Sequence, residues 1–234
     1  MMRKRRTSVI IPAAGEGRRF GSTEDGRTKP FVLLGGRPLV VNTLRPFMNS
    51  SFIDEIIVPT KSEHVGFLES EIKASFSGQP RVRVISGGLE RQDSVKAALQ
   101  IIDHDGFVLV HDGVRPFITE ELIRKVLEML SSNDAVIVGV RPKDTVKRGL
   151  QNVAESTLDR STLWLSQTPQ GFRVDLLKKA FEKAEEDRFV GTDESSLVER
   201  LGVPVQILEG SHSNIKITTP EDLAMAQALS SFFV

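Results

Sequence analysis

Val9-Ile10-Ile11-Pro12-Ala13-Ala14-Gly15-Glu16-Gly17-Arg18-Arg19-Phe20, with Thr28-Lys29-Pro30 a short loop further on, decides how this chain is read. The β-branched run predicts a buried strand. It gives way to small residues and then to a glycine-spaced loop. Small residues let backbone N–H groups approach a ligand closely, and successive N–H groups form an anion-binding concavity. Arg18, Arg19 and Lys29 add positive charge that backbone dipoles do not supply. The stretch therefore reads as a device for holding a triphosphate while a phosphorus centre reacts. A plain glycine turn after a strand is the simpler reading, but it does not call for two arginines and a lysine.

Two other glycine loops compete for the same residues. A P-loop needs glycines spaced by four residues and then Lys-Ser/Thr, and Gly15, Gly17 and Gly21 do not supply that spacing. A dinucleotide fingerprint needs a third glycine where Phe20 stands, and an acid after the second strand where Pro59-Thr60-Lys61 follow Val58. Neither fits.

Outward from this stretch, apolar segments alternate between strand and helix character. Ile53–Pro59, Arg81–Ser86, Phe107–Val110 and Ala135–Val140 read as strands. Pro38–Met48 reads as a helix kinked or ended by Pro46, and Glu63–Phe76 as a second. From Arg91 onward, Val95, Ala98, Leu99 and Ile102 fall on one helical face. Thr119 is placed to cap a helix whose first turn holds Glu120 and Glu121. The alternation predicts an α/β fold with a mostly parallel sheet and helices on both faces.

The rhythm breaks at residues 141–169. Polar alternation, a turn at Gly149 and an aperiodic Val153–Leu158 predict a hairpin leaving the domain, and a lone hairpin needs another subunit to pack on. Helices at Val174–Glu185 and Thr192–Leu201 follow, then short strands at Val205–Leu208 and Ile215–Thr218. Thr219-Pro220-Glu221-Asp222 is a helix start. A single domain spans residues 1–234.

Composition narrows the partners. Lys plus Arg and Asp plus Glu number 31 each in 234 residues, so no net field draws the chain to nucleic acid or membrane. The basic run Arg3-Lys4-Arg5-Arg6 reads as a solvated terminus and not as a signal peptide. No stretch is long and apolar enough to span a bilayer. The absence of cysteine excludes disulfides, thiol nucleophiles and zinc-thiolate sites, and suits a cytoplasmic protein.

In open α/β sheets ligands bind beyond the carboxyl ends of the strands. Ala13-Ala14-Gly15, Gly87-Gly88-Leu89-Glu90-Arg91, His111-Asp112-Gly113-Val114-Arg115-Pro116 and the region of Lys216 all fall there. Asp112, opposite the glycine loop, is the candidate ligand for Mg²⁺ or another divalent cation, which commonly takes one or two carboxylates plus substrate phosphates. His111 invites a role as base. A phosphate monoester is already ionised at neutral pH and needs none, so His111 is read as structural.

The motifs Pro12-Ala13-Ala14-Gly15-x-Gly17-Arg18-Arg19, Gly87-Gly88-x-Glu90-Arg91-x-x-Ser94-Val95, His111-Asp112-x-x-Arg115-Pro116, Asp144-Thr145, Leu163-Trp164-x-x-Gln167-Thr168-Pro169-Gln170, Thr192-Asp193-Glu194 and Asn214-Ile215-Lys216 occur in order. In this the chain resembles the 2-C-methyl-D-erythritol 4-phosphate cytidylyltransferases of the non-mevalonate isoprenoid pathway, over roughly residues 8 to 230. The resemblance implies a Rossmann-like, nucleotide-diphospho-sugar transferase-like fold, with a β-arm at 141–169 that forms a homodimer.

It implies that Pro12, Ala13, Ala14, Gly15, Gly17, Arg18, Gly88, Ser94 and Asp112 serve CTP. Arg19, Lys29, Arg160 and Lys216 would carry the catalytic charge. Asp112, Arg115, Thr145, Arg160, Thr168, Thr192 and Lys216 would hold the polyol phosphate, with Thr145 and Arg160 reaching into a partner's site. The nearest rival is a cytidylyltransferase for another polyol phosphate, such as ribitol 5-phosphate. A sugar-1-phosphate nucleotidyltransferase shares the loop but not the hairpin motifs. A non-catalytic nucleotide-binding module leaves Arg19, Lys29 and Asp112 without purpose. Four features depart from the family pattern: Phe20 where many members have Met, Pro30 after Lys29, Leu89 where some members have an acid, and a longer loop from Gly21 to Thr28.

Overall fold

Alternate residues of the first strand enter two different cores, and this sets the layers. The structure, a computed structural model, describes residues 5–15, 20, 28–76 and 81–231. Strand β1 (Thr7–Ile10) is buried along its whole length. Val9 and Ile11 pack on one side with α1 (Leu39–Asn49), α2 (Val65–Ser75) and α4 (Glu120–Leu130). Ile10 packs on the other with α3 (Arg91–Gln100), α5 (Val174–Glu186) and α6 (Glu194–Glu199). Full burial on both faces is what a continuous β-branched run predicts.

The remaining strands are β2 (Leu33–Leu34), β3 (Arg37–Pro38), β4 (Glu55–Thr60), β5 (Val82–Ser86), β6 (Phe107–Val110), β7 (Ala135–Val140), β8 (Lys147–Leu150), β9 (Val153–Thr157), β10 (Leu165–Arg173) and β11 (Gln206–Glu209); α7 spans Pro220–Ser230. The central sheet runs β11-β7-β10-β6-β1-β4-β5. The chain leaves β1 toward β4 and β5, then crosses back to β6 on β1's other side, which opens a crevice at the carboxyl ends. A third apolar cluster, including Leu39, Val114, Phe117, Ile217 and Ala226 of α7, closes that end of the molecule.

All pairings in this sheet are parallel except those of β10, which lies antiparallel between β6 and β7. The sequence conceals this strand, because Pro169 and Gly171 argue against a central strand. The register shifts between Gln167 and Gln170, and this bulge accommodates the proline. Gly171 is required by packing: a Cβ there would sit 2.6 Å from Leu130 Cδ1 and 2.9 Å from Leu109 Cδ2.

Other expectations need correction. Residues 165–169, read as part of the arm, belong to the central sheet. The hairpin turn falls at Gln151-Asn152, both at positive φ, and Gly149 makes a bulge instead. Ile215–Thr218 is not a strand; it crosses the carboxyl end as a loop held by Ile217 N–H on the Val114 carbonyl at 3.0 Å. Helix α1 runs through Pro46, held by Leu44 and Phe47, which are buried around it. The helix expected at 192–201 is shorter and is capped by Asp193, whose carboxylate accepts from Ser196 N–H.

The capping at Thr119 and Thr219 is as expected. The Thr119 hydroxyl accepts from Leu122 N–H, and Thr219 and Asp222 form a reciprocal capping box. Strands β8 and β9 are exposed along their whole length. The root of this hairpin is braced by Arg141, which stacks 3.8 Å over the Trp164 ring, and by Arg160, which donates to the Lys143 carbonyl. Among the described residues no helix is long and apolar enough to cross a membrane.

Candidate active site

Four strand ends and one loop bring the chemistry together. A cleft of about 920 Å³ opens beyond the carboxyl edge of the sheet. Pro12, Ala14 and Gly15 line it after β1; Lys61, Ser62 and Glu63 after β4; Gly87 to Arg91 after β5; Asp112 to Val114 after β6. Lys29, Pro30, Ser94 and Lys216 complete the wall. Gly17, Arg18 and Arg19 lie outside the described residues, as does most of the loop to Thr28. Ala13 sits beneath the cleft, its side chain in the core and its N–H already given to the Pro59 carbonyl at 2.8 Å.

Gly88 makes its approach possible. Its N–H donates to Ser94 Oγ at 3.1 Å, and a Cβ there would fall 2.2 Å from Asp93 Cβ. Glu90 and Asp93 form a capping box, so the N-terminus of α3 faces the cleft with its cap satisfied. Leu89 beside it is fully exposed.

Asp112 is the hub. Arg91 Nε lies 3.4 Å from its Oδ1, while Arg115 Nε and Lys216 Nζ lie 3.2 and 3.0 Å from its Oδ2. Burial works to raise its pKa, but Arg91, Lys216 and Arg115 outweigh that and hold the carboxyl well below the usual range. Arg91 is gripped from behind by Glu194, which accepts from both terminal guanidinium nitrogens at 2.6 and 3.0 Å. Burial disfavours the charge on Arg91; Glu194 and Asp112 more than restore it, so its pKa is raised. Burial lowers the pKa of Arg115 despite Asp112. Three cations thus meet two carboxylates on the cleft floor, an excess of positive charge suited to phosphate.

His111 braces this floor. Its Nε2 contacts the Arg115 carbonyl at 3.0 Å, and a carbonyl only accepts, so Nε2 carries the proton. Nδ1 then accepts from the Thr168 hydroxyl at 3.0 Å, and Thr168 Oγ1 accepts from Asp112 N–H at 3.1 Å. Both ring nitrogens are used, the ring is fully buried, and burial pushes its pKa down to about 4. A neutral imidazole with both nitrogens engaged matches the structural role read for His111 from the sequence. Arg115 donates to the Asn214 carbonyl at 2.7 Å, and Asn214 donates to the Thr168 carbonyl at 2.9 Å, tying the loop before α7 to the same unit.

Of the expected site residues, Pro12, Ala14, Gly15, Lys29, Gly88, Ser94, Asp112 and Lys216 share the cleft. Arg115 and Thr168 stand directly behind Asp112. Thr192 is exposed beside Asp193, at the Glu194 end. Thr145 and Arg160 belong to the hairpin and do not line the cleft of their own chain.

Arg91 and Glu194 stand in the quoted motifs, but the sequence reading assigns neither a site role. A cation in the first turn of a helix opposes the helix dipole, and that was a readable sign that Arg91 has another duty. Glu194, an acid in a first turn, gave no such sign. Among the described residues no group of three or more His, Asp or Glu is placed to hold a metal. A divalent cation fits only in the mode that uses one carboxylate plus phosphates and water. Oδ1 of Asp112, whose partner Arg91 stands at 3.4 Å, has accepting capacity for it.

Known proteins agree with this geometry. The profile of the 2-C-methyl-D-erythritol 4-phosphate cytidylyltransferase family matches residues 7–231. A 2-C-methyl-D-erythritol 4-phosphate cytidylyltransferase from Bacillus velezensis is 45% identical over 223 residues, 94% of each chain. A crystal structure of 4-diphosphocytidyl-2C-methyl-D-erythritol synthase from Anaerococcus prevotii superposes with a TM-score of 0.85 at 34% identity, covering 97% of each chain. A 2-C-methyl-D-erythritol 4-phosphate cytidylyltransferase from Francisella tularensis does so at 0.80 and 34%, covering 95% of this chain and 99% of the other. With the family profile, the relatives' sequences and the solved folds all matching over nearly its whole length, the chain belongs to the 2-C-methyl-D-erythritol 4-phosphate cytidylyltransferase family.

Proposed function

We propose that this protein joins CTP to 2-C-methyl-D-erythritol 4-phosphate, giving 4-diphosphocytidyl-2-C-methyl-D-erythritol and pyrophosphate. The observation that carries the reading is the cationic floor around Asp112, in one cleft with Pro12, Ala14 and Gly15, in a chain of this family. An oxygen of the substrate phosphate attacks the α-phosphorus of CTP; a P–O bond forms and the α–β bridging P–O bond breaks, with its electrons leaving on pyrophosphate. Such a transfer needs positioning and charge stabilisation more than a base.

Lys29, Lys216 and Arg19 supply charge to the reacting phosphates. Arg115, Thr168 and Thr192 shape the polyol-phosphate side, and Pro12, Ala14, Gly15, Gly88 and Ser94 the nucleotide side. A divalent cation held by Asp112, when bound, neutralises phosphate charge. The reading carries with it a cytoplasmic location, where CTP is made. A panel of polyol phosphates with CTP and Mg²⁺, followed by pyrophosphate release, tests it. Methylerythritol phosphate should lead by about tenfold or more in kcat/KM, a differential of ~1.4 kcal/mol. Equal turnover of ribitol 5-phosphate would remove the pathway assignment and leave the reaction class.

The hairpin enters this reading as a partner's contribution. Thr145 and Arg160 flank the exposed hairpin of β8 and β9 and do not line their own cleft, and an isologous dimer would bring each to the other subunit's site. Arg160→Ala and Lys29→Ala, each inactive alone, should then regain at most about a quarter of full activity on mixing, since only half of randomly exchanged dimers hold one intact site. Mixed dimers without activity would return Arg160 to its own subunit.

A further inference from the structure

Glu194 touches nothing that reacts, yet it is a buried carboxylate, 2% exposed, facing the active cleft through one side chain. Its two oxygens take both terminal nitrogens of Arg91, and only Arg91 Nε remains directed at Asp112. The Glu194 backbone is itself fixed to the sheet. Asp193 caps α6 by accepting from Ser196 N–H at 3.0 Å. Gln170, buried in β10, donates to Asp193 Oδ2 at 2.8 Å and accepts from Ser195 N–H at 3.0 Å. One buried amide thus locks the first turn of α6 from both sides.

The chemistry of guanidinium explains why such a lock matters. A free guanidinium beside a carboxylate takes it through two parallel N–H···O bonds. Arg91, released, would engage both oxygens of Asp112 in this way and compete with Arg115 and Lys216, which share Oδ2. With its fork held by Glu194, Arg91 meets Asp112 edge-on through a single nitrogen. Asp112 then keeps accepting capacity on Oδ1, which Arg91 Nε approaches at 3.4 Å.

We propose that Glu194 is a positioning residue for the transfer reaction: by occupying the guanidinium fork of Arg91, it keeps Asp112 Oδ1 available to the divalent cation that accompanies the substrate phosphates. This rests on the cytidylyl-transfer reading, and it assigns Glu194 a role in turnover beyond that of a bridge between α3 and α6.

Glu194→Gln keeps the shape and removes the charge. Turnover of CTP with methylerythritol phosphate should fall about tenfold or more in kcat, KM for CTP should stay within about threefold, and Mn²⁺ bound in the presence of CTP, read by electron paramagnetic resonance, should bind at least about threefold more weakly. Adding Arg91→Lys, which removes the fork while keeping a charge, should give a double variant at least as fast as Glu194→Gln alone, because both changes act through one contact. Losses that multiply in the double variant, or a Glu194→Gln kcat within about twofold of the wild type, overturn the proposal. Glu194→Asp guards against a failure to fold: it keeps a carboxylate on the Arg91 fork and should hold kcat within about threefold of the wild type. A loss in that variant as large as in Glu194→Gln also overturns the proposal. A wild-type enzyme that releases no pyrophosphate from this pair would instead remove the functional reading.

Discussion

The two ends of the central strands carry cavities of nearly equal size, about 920 Å³ at the carboxyl edge and about 890 Å³ at the amino edge, yet only one is built for phosphate. Each end holds a buried histidine. At the amino edge, His104 Nδ1 accepts from Gly106 N–H at 3.0 Å, so Nε2 donates to Ser8 Oγ at 2.7 Å, and Ser8 donates to Glu55 at 2.6 Å. Serine, histidine and glutamate stand in line there, but the protons run away from a nucleophile, and Ser8 is wholly buried.

Among the described residues Arg6 pairs with Asp103 and Arg173 with Asp175, and Lys178 donates to the Ile102 carbonyl. At the carboxyl edge three cations converge on one carboxylate. What distinguishes the two ends is the balance of charge and the glycines that admit a ligand, and cavity volume does not.

The largest expected contrast is catalytic. Lys216→Ala should lower kcat by about 10²–10³ while the fold persists, because it removes a partly exposed cation from the reacting phosphates. A raised KM with unchanged kcat would make Lys216 a ground-state binder.

Next comes the pH dependence of the carboxyl-edge brace. The folded state keeps His111 neutral down to about pH 4, whereas an exposed histidine protonates near 6.5. The unfolded chain therefore binds more protons between these values, and stability is lost as pH falls from about 6.5 through 4, by up to about 3 kcal/mol. Urea titrations across that range should show a shallower dependence in His111→Gln; identical slopes would deny His111 this part.

Smaller still, Ser8→Ala at the amino edge should cost about 1–3 kcal/mol by removing the hydroxyl that links the half-buried His104 and Glu55, with turnover intact and Glu55 still beside Arg83 at 3.5 Å. Smallest of all, Arg173→Ala should shift stability by no more than about 0.5–1 kcal/mol, since Arg173 and Asp175 form a solvent-screened pair. Loss of turnover in either amino-edge variant would erase the contrast between the two ends.

Much of this was legible locally. Phe107–Val110 and Ala135–Val140 read as strands with the bounds they have, because β-branched runs buried on both faces need no long-range information. The caps at Thr119 and Thr219 were legible because a hydroxyl and the N–H it receives lie within one turn. Strand β10 was not, because Leu165–Arg173 carries a proline and a glycine whose fitness depends on a bulge and on Leu130 and Leu109 above Gly171. Ile215–Thr218 misled for the opposite reason. It has strand-like residues but a single backbone bond to Val114, and Ile217 is buried by α7's cluster instead of by a sheet.

The sequence by itself determined the alternating α/β layers, the glycine-spaced loop, the helix starts and the residue types able to handle phosphate. Only the tertiary structure decided which charges meet. Inserting β10 antiparallel between β6 and β7 brings Thr168 to Asp112 across 56 residues, and packing α6 against α3 and α5 brings Glu194 to Arg91 across 103. Helix and strand periodicities reach a few residues along the chain. The strength of an ion pair depends on separation in space and on the water excluded around it, and both follow only from how the layers close.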